Sequence, residues 1–62
     1  MRGLSPTQQA VILEIREGGG YATIDDVASR TRLPRNRVVA ALRGLVRDGW
    51  VGMRGGKLQV LR

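Results

Sequence analysis

The sequence predicts an α+β domain of three helices followed by a C-terminal two-stranded β-hairpin. Three observations carry that expectation. Apolar residues recur at helical spacing in three segments, each opened by a capping residue or a proline. Glycines and a proline punctuate the chain at 18–20, 34 and 49. The last segment, 50–61, alternates apolar and polar residues about a Gly55-Gly56 pair, the pattern of a hairpin.

The first helix opens at Leu4-Ser5-Pro6-Thr7-Gln8. Ser5 can cap it, Pro6 suits the first helical position, and Gln8 stands where a reciprocal cap needs it. Val11, Ile12 and Ile15 share one face with Gln8 above them, Leu13 falls opposite, and Gly18-Gly19-Gly20 ends the helix after about Glu17. Tyr21-Ala22 is a short extended segment. Thr23 then caps a second helix, about Ile24 to Arg30, with Asp26 at the reciprocal position and Asp25 in the favourable first turn. Its apolar stripe is Ile24, Val27 and Ala28.

Thr31-Arg32-Leu33 is a tight connection, and Pro34 starts a third helix that runs to about Asp48. Val38, Ala41, Leu42, Leu45 and Val46 fall at i, i+3, i+4, i+7 and i+8, a core stripe. The other side carries Arg35, Asn36, Val39, Ala40, Arg43 and Arg47, and Gly49 stops the helix. In the hairpin, a two-residue Gly55-Gly56 loop pairs Arg54 with Lys57, Met53 with Leu58, Gly52 with Gln59 and Val51 with Val60. That register places Val51, Met53, Leu58 and Val60 on one half-buried face. It also sets two cations opposite each other at the tip, an arrangement that an intervening anion would relieve. Gly52 reads as a strand residue where another group approaches closely, and Trp50 as packed against the third helix.

A length of 62 residues gives one small domain, 1–62, near the lower limit for folding without staples. Hydrophobic residues are 42% of the chain, with no Phe, one Trp and one Tyr, so the core must be Val, Ile, Leu and Ala. Absence of Cys excludes disulfides and thiolate metal sites, and absence of His removes the commonest general base and metal ligand. No apolar run reaches the length of a membrane span or a signal-peptide core. The expectation is a cytoplasmic chain with no membrane, metal, cofactor or small-molecule partner.

The formal net charge is +6, but its placement is more informative. Residues 1–29 hold Arg2 and Arg16 against Glu14, Glu17, Asp25 and Asp26, net −2. Residues 30–57 hold Arg30, Arg32, Arg35, Arg37, Arg43, Arg47, Arg54 and Lys57 against Asp48 alone, net +7. Guanidinium forks match phosphates and guanine edges bidentately. A one-sided basic field is the footprint of a polyanion partner, where a plain solvated face would need no such concentration.

The stretches Thr23-Ile24-Asp25-Asp26-Val27-Ala28, Leu33-Pro34-Arg35-Asn36-Arg37-Val38 and the run from Leu42 to Val51 together resemble the winged helix-turn-helix domain of small prokaryotic transcription regulators. The resemblance covers about residues 4 to 61. It implies a double-stranded DNA-binding domain in transcriptional or mobile-element regulation, nucleoid-associated. Helix 34–48 would enter the major groove, and the wing, 50–61, would follow the backbone or minor groove. Carried over by position, Arg35, Asn36, Val39, Ala40 and Arg43 are the base-contact candidates. Arg30, Arg32, Arg37, Arg47, Arg54 and Lys57 are the phosphate candidates, with the backbone N–H of Thr23. Asn36 would pair with adenine and an arginine with guanine, while Val39 and Ala40 would permit close approach and touch a thymine methyl. Arg37, at the edge of that face, has an alternative partner in Asp25 or Asp26. A left-handed-DNA branch of these domains has a Tyr one turn after the Asn and a proline-rich wing. Here Ala40 stands at that position and the tip has no proline.

Nothing in the residues points to catalysis. Asp25 and Asp26 are adjacent helix-start residues, and Ser5, Thr7, Thr23, Ser29 and Thr31 have no His to activate them. The alternative from another class is a winged helix that docks a protein within a larger assembly, which exposed hydrophobes on the third helix or the wing would favour. The expected free state is a monomer, with pairing on DNA left open and Leu13 the surface residue that would serve it.

Overall fold

The computed structural model describes residues 3–62; Met1 and Arg2 of the expected 1–62 domain lie outside the described residues. The elements run α1 (Pro6–Glu17), β1 (Tyr21–Ala22), α2 (Ile24–Thr31), α3 (Arg35–Arg47), β2 (Val51–Arg54) and β3 (Lys57–Val60). This is a winged helix-turn-helix fold.

Local chemistry accounts for the helix ends. The Gln8 backbone N–H donates to Ser5 Oγ at 3.1 Å, and the Ser5 N–H donates to Gln8 Oε1 at 3.0 Å, closing the expected capping box. Thr23 and Asp26 repeat the device on α2, with Asp26 N–H to Thr23 Oγ1 at 3.1 Å. Helix α2 runs one residue further than expected because the Thr31 hydroxyl donates to the Val27 carbonyl at 2.7 Å. Pro34 and Asp48 cap α3 and lie outside it, whereas the sequence placed both within the helix. Pro34 is extended, at φ −59° and ψ 145°, and offers its carbonyl to the N–H groups of Arg37 and Val38.

The hairpin has the predicted register, from Val51 opposite Val60 to Arg54 opposite Lys57. Gly55 and Gly56 have φ of +58° and +79°, the left-handed pair that a two-residue hairpin loop demands. A third strand joins it. β1 pairs antiparallel with β3, Tyr21 against Gln59 and Ala22 against Leu58, giving the order β1-β3-β2. The short extended segment thus ties the α1–α2 connection to the wing.

The buried core comprises Val11, Ile12 and Ile15 of α1, Val27 of α2, Val38, Ala41, Leu42 and Leu45 of α3, and Ala22, Val51 and Leu58 of the sheet. It is wholly aliphatic, as the composition required. Two residues expected in it are outside. Val46 is 49% exposed and Met53 is 57% exposed. Val46 sits at the margin of the α3 stripe, on the side toward the hairpin. Met53 shares a face with Val51 but lies one residue from the cationic tip, where the strand has outrun its cover. Trp50 is half-buried, packs against the core, and lines a depression with Leu4, Gln9, Ile12, Leu13 and Arg16. The Arg62 guanidinium lies 5.0 Å from the Trp50 ring centroid, within cation–π range. Gly52 is closely approached as predicted: a Cβ there would stand 3.1 Å from Leu61 Cδ1. Among the described residues, no helix is long and apolar enough to cross a membrane.

Candidate nucleic-acid interface

Helix α3 buries one stripe and presents the opposite one. On the presented side, Arg35, Asn36, Val39, Ala40 and Arg43 line a single concave surface. These are the base-contact candidates of the sequence, brought together without any other residue. Val39 is half-buried; Arg35, Asn36, Ala40 and Arg43 are exposed.

Arg35 forms an ion pair with Asp25 of α2, both side chains remaining largely exposed. Pairing with Asp25 or Asp26 was the alternative weighed for Arg37; the residue that pairs with Asp25 is Arg35. Arg35 opens α3 and comes beside the first turn of α2. Arg37, two positions on, turns toward the start of α1 and lines a shallow depression with Ser5, Thr7, Gln8, Ala40 and Ala41. An exposed pair of this kind is worth at most about 1 kcal/mol, so it orients Arg35 without locking it.

The phosphate candidates are not brought together as one set. Arg47 lies one turn beyond Arg43 on α3, and Arg54 and Lys57 face each other at the wing tip, all exposed. Arg32 occupies the α2–α3 turn in the left-handed conformation, φ 60°. Arg30 is on another surface: it lines a depression with Leu13, Glu14 and Leu33, against α1. The Thr23 N–H is already used, donating to Asp26 Oδ2 at 3.3 Å. That amide is therefore not free for a phosphate, and the carboxylates of Asp25 and Asp26 beside it would repel one.

One feature was not read from the sequence. Between α3 and the wing runs a groove lined by Ile24, Val39, Leu42, Val46, Met53 and Leu58, with Arg43 and Arg47. Its surface is almost entirely apolar. The available signal was that Val39 and Val46 stand seven residues apart, hence on one face of α3.

Comparisons with known proteins agree with this fold. The model of the MarR family matches residues 2–54. The solution structure of a DNA binding protein from Sulfolobus islandicus superposes with a TM-score of 0.79 at 24% identity, over 92% of this chain and 95% of that one. The crystal structure of a "putative transcriptional regulator protein" from Pseudomonas aeruginosa PA01 gives 0.78 at 27% identity, over 90% of this chain and 43% of that one. This chain therefore spans less than half of the Pseudomonas structure. No curated protein matches the chain.

Proposed function

The chain belongs to the MarR family, and from that premise we propose that it binds double-stranded DNA as a transcriptional or mobile-element regulator. Helix α3 lies in the major groove, and the β2–β3 wing follows the adjacent backbone or minor groove. The observation that carries this reading is the concave outer face of α3, where Arg35, Asn36, Val39, Ala40 and Arg43 converge. The DNA binding protein and the regulator that share the fold support it. Asn36 is matched to adenine, Arg35 and Arg43 to guanine, and Val39 and Ala40 to close approach and thymine methyls. Arg32, Arg37, Arg47, Arg54 and Lys57 neutralise phosphates, which fix register and carry no sequence information. The domain acts by binding, not catalysis, in the nucleoid of the cytoplasm.

Titration of labelled duplex by anisotropy at several salt concentrations, against random competitor DNA, tests this. With four to six phosphates neutralised, log affinity falls with log salt at a slope of about −4 to −5. Affinity that ignores salt would overturn it.

A second reading, a protein-docking winged helix within a larger assembly, is favoured by one observation. Val46 and Met53 are exposed on α3 and on the wing. The same titration separates the two, since a protein-docking domain has no preferred duplex.

A further inference from the structure

We propose that the groove between α3 and the wing receives the sugar–phosphate ridge of one DNA strand, and that its apolar lining selects deoxyribose over ribose. The proposal rests on the duplex-binding reading and adds two specificity residues to it, Val46 and Met53.

The placement follows from how the groove joins the base-reading face. Val39 and Arg43 line both surfaces, so the two are continuous. In a duplex, one strand separates the major groove from the adjacent minor groove. A protein with a helix in the first and a ribbon along the second therefore straddles that strand. The space between helix and ribbon in this chain is the groove in question, with Val46 on one wall and Met53 on the other.

The chemistry of the lining matches the occupant. Arg43 and Arg47 bring cations one turn apart to a floor that is otherwise apolar. A strand backbone alternates anionic phosphate with the largely apolar edge of the sugar. A phosphate meets the Arg47 guanidinium, Arg43 reaches on to its base edge, and the neighbouring sugar meets Val46 and Met53. This also accounts for two large apolar side chains left 49% and 57% exposed in a chain with so small a core. The +7 carried by residues 30–57 favours a polyanion here over an apolar protein segment.

Selectivity for the sugar comes from desolvation. A 2′-hydroxyl placed against this lining loses water, and the polar groups within reach are guanidiniums already engaged, Arg47 by a phosphate and Arg43 by a base. Burying a hydroxyl without a partner is unfavourable. Deoxyribose has only hydrogen at that position and fits without loss.

The test uses the whole chain and a duplex selected from a random pool. Single ribonucleotides are introduced at each position in turn, which leaves the duplex essentially in its DNA form. The expected profile is flat except at one or two positions per bound domain, on a strand flanking the α3 contact, where affinity falls about fivefold to tenfold. Val46→Thr with Met53→Gln supplies polar partners at exposed positions where folding is not at stake, a point checked by the thermal melt. Measured against the variant's own affinity for the all-deoxy duplex, the ribonucleotide penalty should fall below about twofold. A 2′-fluoro scan, which changes sugar pucker without adding a donor, should show no penalty. A flat ribonucleotide profile, a penalty that survives in the variant, or one reproduced by 2′-fluoro would overturn the proposal while leaving duplex binding intact. Self-association by sedimentation that Met53→Gln abolishes would assign the groove to a second copy instead. Failure to bind any duplex would overturn the underlying reading as well.

Discussion

Gly44 of α3 lies so close to Gln8 of α1 that a Cβ on the glycine would stand 2.7 Å from Gln8 Nε2. Gln8 also closes the α1 capping box through its Oε1. One side chain thus couples a helix start to a helix crossing. Two effects oppose each other in Gly44→Ala. Helix propensity favours alanine by about 1 kcal/mol. Displacing the Gln8 amide sacrifices part of a cap worth about 0.5–2 kcal/mol. The expected net change in unfolding free energy is within about 0.5 kcal/mol of zero. In a Gln8→Ala background the clash is gone, and Gly44→Ala should stabilise by about 1 kcal/mol. Denaturant melts of the four proteins measure this; a large loss in both backgrounds would mean that backbone, not the amide, fills the space.

Base reading by α3 gives a second prediction. Asn36→Ala or Arg35→Ala should cost about 1–3 kcal/mol on a selected duplex and less on random DNA. The Arg35–Asp25 pair adds an independent handle. Asp25→Asn removes an anion from the interface and releases Arg35, so affinity should rise about twofold to threefold at physiological salt. Stability should fall by at most about 1 kcal/mol, from the lost pair and the lost helix-start charge. Competition anisotropy reads both; equal losses on selected and random DNA would confine Asn36 and Arg35 to the backbone.

At the wing tip, Arg54 faces Lys57 directly across the hairpin. Like charges so placed disfavour the free protein. Arg54→Ala with Lys57→Ala should therefore leave the free domain as stable or a few tenths of a kcal/mol more so. The same variant should flatten the log–log salt slope by about 2 and weaken all duplexes alike. An unchanged slope would take the tip off the DNA.

Arg32 is the one non-glycine residue at positive φ among the described residues. A side chain in the left-handed region costs about 1–2 kcal/mol, of which glycine's greater unfolded freedom returns roughly half. Arg32→Gly should raise stability by about 0.5–1 kcal/mol. If Arg32 holds a phosphate, the same change makes the salt slope shallower by about 1. Opposite signs in the melt and the titration would mark a strained residue retained for binding. Weaker stability in Arg32→Gly would show that the arginine stem packs.

The helix starts were legible because they are local: Ser5 with Gln8 and Thr23 with Asp26 each lie within one turn, and the chemistry is set by the residue types. The hairpin register was legible because the two-residue Gly55-Gly56 loop sets it and a one-residue slip would part Val51 from Leu58 and Val60. Burial at the margins was not. A helical wheel gives the direction of Val46 but not where the neighbouring element stops, and strand alternation puts Met53 on the core face without saying that the core has ended. The pairing of β1 with β3 joins residues nearly forty apart, Tyr21 with Gln59, and no local pattern encodes that. On the site, the wheel assembled the α3 face correctly because it is a single helix. It did not single out Arg35 as the Asp25 partner, because that contact depends on the angle between two helices.

Leu13 carries the last prediction, on assembly. It is 56% exposed on α1, opposite the stripe of Val11, Ile12 and Ile15. It stands on a crest between two hollows, one toward Trp50 and Leu4, the other toward Leu33 and Ala10. A crest with hollows beside it is self-complementary under a two-fold axis. The surrounding charges, Arg16 against Glu14 and Glu17, nearly balance. Two copies can therefore approach here without the repulsion that the basic half imposes elsewhere. One exposed leucine supplies the apolar contact here, so the free protein should sediment as a monomer at micromolar concentration. Two copies on adjacent half-sites are held close together, and there a weak contact becomes cooperative binding. Leu13→Gln should leave the monomer folded, since the side chain is outside the core, and should abolish cooperativity without changing the affinity of a single half-site. Sedimentation and titration on one-site and two-site duplexes measure this. Cooperativity retained in Leu13→Gln would remove α1 from the contact, and a free wild-type dimer at micromolar concentration would require a larger interface than this face provides.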